Sequence, residues 1–210
     1  RALTGKAERV LVGNPADWVV SAADPRLVST RGASAYLKLA EGCNRKCSFC
    51  VIPQIRGKQR SRRPEDVVVE AERLVSAGVL ELNLVSLDTV AYGRDLDGGP
   101  RLAEVVRRVA DVPGVRWVRL FYLYPEKLDD ALVELLAHHP KVVPYVDMPL
   151  QHATDAMLRR MRRGNGGKRH REVVERLRKA VPDLFFRTAF IVGHPGESQE
   201  EFDELADFVT

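Results

Sequence analysis

Three thiols close together are the residues of this chain best suited to chemistry. Cys43, Cys47 and Cys50 stand in the run Cys-Asn-Arg-Lys-Cys-Ser-Phe-Cys and are the only cysteines in its 210 residues. Four thiolates would saturate a [4Fe–4S] cube, whereas three leave one iron with an open coordination position for a small molecule. The count therefore points to a cluster that does chemistry, where a closed one would suggest electron transfer or structure. Zinc held by three cysteines and a histidine is the main competitor. Zinc sites favour paired Cys-x(2–4)-Cys and His-x(3–5)-His spacings, and here His138, His139, His152, His170 and His194 are scattered. An odd number of cysteines in one short loop is poor geometry for a disulfide and points to a reducing compartment.

The frame that must position these thiols begins at Ala35, where strand-like and helix-like segments start to alternate, the sign of repeated βα units around a parallel sheet. Strands are expected at 35–40, 81–85, 117–122, 143–148 and 185–192. Pro144 weakens the fourth, since a buried ladder would miss its N–H. Helices are expected from Pro64 to the stop at Gly78, at 102–110, 128–137, 156–161 and 172–179. Residues 1–33 read as a linker or the remnant of a preceding domain, and 34–210 as one α/β domain. The chain ends inside an amphipathic helix with no stop signal, as an excised piece would. A hydrophobic content of 45% can bury one substantial core. No apolar run approaches the roughly 20 residues needed to cross a bilayer, and the first residues lack an apolar signal core, so a cytoplasmic protein is expected. Of the net charge of +4, much of the positive side lies at Arg56–Arg63 and Arg159–Arg163. Solvated helix faces are the commoner explanation of such runs, and phosphate binding the other.

Cys-x3-Cys-x2-Cys directly after a short apolar strand resembles the signature of the radical S-adenosylmethionine (SAM) enzymes. The resemblance implies an open partial barrel of six βα units, cut before or within the sixth, with a SAM-ligated [4Fe–4S] cluster on Cys43, Cys47 and Cys50. It also implies that SAM is split to a radical able to take hydrogen from an unactivated carbon, the protein supplying orientation and exclusion of water. Parallel barrels build their sites at the C-terminal strand ends, and the polar motifs of this chain fall there. Asp88 and Thr89 follow the second strand and are candidates for the SAM amino group, with Tyr92 for the substrate pocket. After the fourth strand, Gln151 suits the SAM ribose and His152 the substrate or a proton. On the fifth, Arg187 could pair with the SAM carboxylate, while Ile191 and Gly193 could pack on adenine. Each has a plainer reading as a turn, cap or buried hydrogen bonder.

From Ala35 to Thr210 the chain is most similar to the methylthiotransferases of that superfamily. Leu39-Ala40-Glu41-Gly42-Cys43, Cys50-Val51-Ile52-Pro53, Arg56-Gly57 and Ser61-Arg62 resemble that family's cluster loop. One branch modifies an aspartate of ribosomal protein S-twelve, the other an isopentenylated adenosine of transfer RNA. Asp88-Thr89-Val90-Ala91-Tyr92-Gly93, Tyr122-Leu123-Tyr124-Pro125, Pro149-Leu150-Gln151-His152 and Arg187-Thr188 resemble the ribosomal-protein branch. Leu87 and His194 depart from its usual Gln and Phe. The resemblance implies ribosomal protein S-twelve as substrate and a flavodoxin- or ferredoxin-type electron donor. A second [4Fe–4S] cluster is expected only in an N-terminal domain whose cysteines are not in this chain. On that expectation the chain splits SAM without completing methylthiolation. The tRNA-modifying relative, and a non-catalytic metal-binding module that uses the arginines on RNA, are the alternatives; only in these would nucleic acid be a partner.

Overall fold

The computed structural model describes residues 13–14, 18–29, 32–99, 101–126, 128–164 and 166–210. Five strands, β1 (Ser34–Lys38), β4 (Glu81–Val85), β5 (Trp117–Leu120), β6 (Val142–Asp147) and β7 (Phe185–Arg187), form one parallel sheet in that spatial order. Two short strands, β2 (Ala40–Glu41) and β3 (Arg60–Ser61), pair antiparallel and pinch the cysteine loop at its base. The helices are α1 (Ile52–Arg56), α2 (Pro64–Ser76), α3 (Leu102–Asp111), α4 (Asp130–His138), α5 (Asp155–Arg160), α6 (Gly167–Ala180) and α7 (Gln199–Val209). Among the described residues the expected alternation is present as an α/β unit whose parallel sheet does not close into a barrel.

Period-two alternation explains the layering. Ala35 and Leu37 of β1, Leu82 and Leu84 of β4, and Val118 and Leu120 of β5 are all fully buried. They form one core with Val67, Ala71 and Leu74 of α2 and Val105, Val106 and Val109 of α3. The other sheet face carries Tyr36, Arg119, Tyr145 and Arg187; Arg119 pairs with Glu81 at 2.8 Å and lies over the Tyr145 ring. Pro144 does sit inside β6. Register shifts there, with Val118 opposite Val142 and Leu120 opposite Val146, so the extra residues of β6 bulge around the position that lacks an N–H.

Helix starts follow local chemistry. Pro64 opens α2 where no N–H is needed. Asp129 accepts from the Leu132 N–H at 2.9 Å to cap α4, and Ser198 with Glu201 makes a capping box on α7. Helix α6 begins five residues before the expected 172 and includes His170, which is buried with Nδ1 3.3 Å from the His152 carbonyl. Burial pushes the His170 imidazole below its ordinary value, only partly offset by that hydrogen bond. With the folded value depressed, the unfolded chain takes up the proton first as pH falls below about 6.5, so stability drops with acidification. We expect the urea midpoint to fall between neutral and mildly acidic pH, and to fall less in His170→Asn. Equal pH slopes in the two proteins would exclude this histidine as the cause.

Most of the expected linker, residues 1–12, 15–17 and 30–31, lies outside the described residues. The described stretch 18–29 lies against α2 and β1: the Ala22 N–H donates to Asp66 at 2.8 Å, and Arg26 pairs with Glu70. The basic run after the cysteines divides, with Arg56, Lys58 and Arg63 exposed and Arg62 turned inward. Arg62, with a side chain 1% exposed, bridges Asp66 at 2.6 Å and Glu70 at 2.5 Å, while Arg60 donates to the Arg56 and Lys58 carbonyls. Arg62 is thus spent on the fold, which removes it from a phosphate-binding face.

Candidate active site at the cysteine loop

The loop leaves β1 and β2 and returns through β3, and Gly42 makes that turn possible. Its φ of +73° suits glycine, and an added Cβ would lie 2.7 Å from the Gly57 carbonyl oxygen. Cys43 follows, buried, with its N–H on the Gly57 carbonyl at 3.1 Å. Cys47 and Cys50 are half-buried. All three thiols line one cavity of about 220 Å³, closed on its other sides by residues from the C-terminal ends of the parallel strands: Leu87 after β4, Tyr122 to Tyr124 after β5, and Pro149 and Gln151 after β6. Tyr122 and Gln151 hold φ of 55° and 73°, left-handed conformations that non-glycine residues keep only where the surroundings enforce them. The Asp147 carboxylate accepts from the Tyr122 N–H at 3.2 Å, and Gln151 is pinned by its N–H to Ala189 at 2.9 Å and by the Ile191 N–H to its carbonyl at 2.8 Å.

Two guanidiniums and one ring form the wall beside the thiols. Arg45 and Arg163 lie 3.5 Å and 3.8 Å from the Tyr124 ring centroid. Arg45 is tied to Asp88 at 2.6 Å and Glu126 at 2.9 Å, and its N–H donates to Cys43 Sγ at 3.4 Å. Arg163 donates to the Pro149 carbonyl at 2.5 Å and lies 3.8 Å from Cys47 Sγ. Burial pushes the Tyr124 hydroxyl well above its ordinary value against the pull of Arg163 and Arg45, so the ring stays a neutral phenol. Burial also pushes the Cys43 thiol up, so a metal must displace its proton to bind there.

The remaining candidates are distributed around this cavity. Ile191 backs Gln151 through the backbone. Asp88 faces a neighbouring cavity of about 260 Å³ across Arg45, and its buried Oδ1 has no hydrogen-bond partner. Thr89 is buried and donates its hydroxyl to the Phe121 carbonyl at 2.6 Å. Tyr92 donates to the Arg62 carbonyl at 2.7 Å and lines a separate cavity of about 410 Å³. His152 is fully buried: Nδ1 accepts from the Thr154 N–H at 3.2 Å, which leaves Nε2–H to donate to Glu197 at 3.0 Å. Arg187 is exposed and pairs with Asp147 at 2.9 Å on the open sheet face. Gly193 turns at φ +73° with open space where a Cβ would point. The structure thus gathers Cys43, Cys47, Cys50 and Gln151 on one cavity and puts His152, Tyr92 and Thr89 into supporting hydrogen bonds. Arg45, Tyr124 and Arg163 belong to the wall although none was expected as a site residue: Arg45 stands inside the cysteine run, Tyr124 in the motif after the third expected strand and Arg163 at the end of the second basic run.

The donor set fits an iron–sulfur cluster. Its groups are all soft sulfur, with N–H donors aimed at Cys43 and Cys47. Among the described residues no three His, Cys, Asp or Glu side chains converge on a single ion, as a mononuclear zinc site would need.

The family described as the radical SAM superfamily matches residues 37–209. The chain is 70% identical, over its full length, to a protein of Sorangium cellulosum named "Ribosomal protein uS12 methylthiotransferase RimO", and 50% identical over 88% of its length to one of the same name from Aquifex aeolicus. It spans 44% and 43% of those relatives. Among solved structures, the radical SAM methyltransferase TsrM of Kitasatospora setae superposes over 88% of this chain and 38% of its own, with a TM-score of 0.68 at 20% identity. The cobalamin-dependent SAM radical enzyme OxsB superposes over 82% and 26%, with a TM-score of 0.64 at 14%. At those identities the likeness is one of fold.

Proposed function

This chain belongs to the radical SAM superfamily, and on that premise we propose that it forms the catalytic core of a ribosomal protein uS12 methylthiotransferase. The observation that carries the reading is the 70% identity to a relative of that name, extending over the whole cysteine cavity. Cys43, Cys47 and Cys50 would hold a [4Fe–4S] cluster. When bound there, the cluster with SAM would supply the radical chemistry needed to take hydrogen from the β-carbon of the target aspartate.

The chain's own residues supply position and shielding. The pinned backbone of Gln151 holds its amide at the cavity edge, where it can both donate to and accept from a ribose. Arg45 stands between the cysteine cavity and Asp88, whose free buried oxygen is an acceptor for an ammonium group. Leu123 and Pro149 add apolar surface to the cavity wall. Arg187 is committed to Asp147 on the open face, and neither it nor Gly193 lines the cysteine cavity. Among the described residues no helix is long and apolar enough to cross a membrane. The reading places the enzyme in the cytoplasm beside its ribosomal substrate, reduced by a low-potential flavodoxin- or ferredoxin-type donor.

Mass spectrometry of uS12 and of hypomodified tRNA, each incubated with the reconstituted protein, SAM, sulfide and reductant, tests this. Conversion of SAM to 5′-deoxyadenosine with one methylthio group on a uS12 aspartate is expected of the full-length protein. Modification of tRNA in place of uS12 would overturn the substrate, and a protein that binds no iron would overturn the chemistry.

A further inference from the structure

Arg163 is the unexplained cation of the site. It is 7% exposed, it stacks on Tyr124, and no carboxylate pairs with it among the described residues; its Nε is buried with no hydrogen-bond partner. Arg45, on the same ring, is by contrast neutralised by Asp88 and Glu126. A buried guanidinium without a carboxylate partner is costly; the Tyr124 ring and the Pro149 carbonyl offset part of that cost, and an anion met when the site is in use would offset more. The nearest anion-forming group is Cys47 Sγ at 3.8 Å from Nη1, while Nη2 is fixed to the Pro149 carbonyl. Fork geometry thus aims one N–H at the sulfur and anchors the other.

We propose that Arg163 is a positioning residue that sets the reduction potential of the cluster held at Cys47, stabilising its reduced state. The inference rests on the functional reading above. Reduction adds one electron, from a low-potential one-electron donor, and no bond or proton changes at Arg163. The added negative charge is attracted by the guanidinium and by its N–H on the thiolate, and burial limits the screening. Removing the charge makes reduction harder without removing a ligand.

The test is an anaerobic redox titration of the reconstituted protein, followed by the electron paramagnetic resonance of the reduced cluster, with iron content measured in parallel. R163Q is expected to keep its iron and to show a reduction equilibrium constant about tenfold lower, about 59 mV for a one-electron couple. R163K, which keeps the charge and loses the fork, is expected to shift in the same direction by less than half as much. A merely structural role would alter iron loading and leave the potential of loaded protein at the wild-type value. R163Q with full iron and an unchanged potential overturns the proposal. If R163Q loads poorly, R163K decides: loading restored with a lowered potential supports the proposal, and a wild-type potential overturns it. Wild-type protein that yields no [4Fe–4S] spectrum overturns the functional reading itself.

Discussion

Cys47→Ser protein, rebuilt with iron and sulfide under argon, is expected to show no cluster absorption and to form no 5′-deoxyadenosine from SAM. A hydroxyl is a poor ligand for iron beside soft sulfide. Loss of an outer-shell partner of a metal ligand already costs about 10- to 100-fold, so loss of a ligand itself should exceed the upper end of that range. The fold should survive. Cys47 is half-buried, the hydrogen bond from the Cys50 N–H to its carbonyl at 3.2 Å does not involve the sulfur, and a serine oxygen can still accept from Arg163, which lies 3.8 Å from the sulfur. A thermal midpoint equal to wild type with activity absent is the expected pair of results. A serine variant that still splits SAM would show that the three thiols are not the ligand set.

Gly42→Ala should act through the backbone instead. Its φ of +73° is disfavoured for any residue with a Cβ, and that atom would lie 2.6 Å from the Lys58 carbonyl carbon and 2.7 Å from the Gly57 carbonyl oxygen. Neither neighbour is a flexible side-chain end. The left-handed conformation and the collision together should cost about 3 kcal/mol or more, a fall in melting temperature of roughly 6 to 12 °C for a domain of this size. The Cys43 N–H bond to Gly57 would be strained, so iron loading should fall as well. A melting temperature within about 2 °C of wild type would mean that the Gly57–Lys58 return moves aside freely.

Neither variant isolates the charge of the wall, because Cys47→Ser also removes the sulfur that faces Arg163, so Arg163 is tested on a different observable. The arginine run 159–163, read as solvated surface, divides in the structure. Arg160 pairs with Glu201 at the surface, and Arg163 is drawn into the cavity wall. A charge run carries no information on which member turns inward. That depends on the turn after α5, where Arg162 takes φ 52° and the Arg163 N–H returns to the Leu158 carbonyl at 2.9 Å.

Strand β4 and the span of α2 were legible to the residue or nearly so, because alternation, a helix-opening proline and a stopping glycine are local signals. The ends of β6 and β7 were less so. Pro144 is tolerated through a register shift against β5, and the expected fifth strand stops at Arg187, with a lone bridge from Gln151 to Phe190 beyond it. Both depend on a neighbouring strand distant in the chain.

The amino-acid order by itself determined the three-thiol set, the sequence of βα units and the placement of polar motifs at strand ends. Each of these is written in spacing and periodicity over a few residues. Tertiary structure alone decided which strand-end side chains face the cavity. Gln151 and His152 are adjacent in the chain, yet one lines the cavity and the other is locked to Glu197. A side chain's direction is settled by the long-range partner that satisfies it, and those partners lie 45 residues away for His152 and 116 for Arg163.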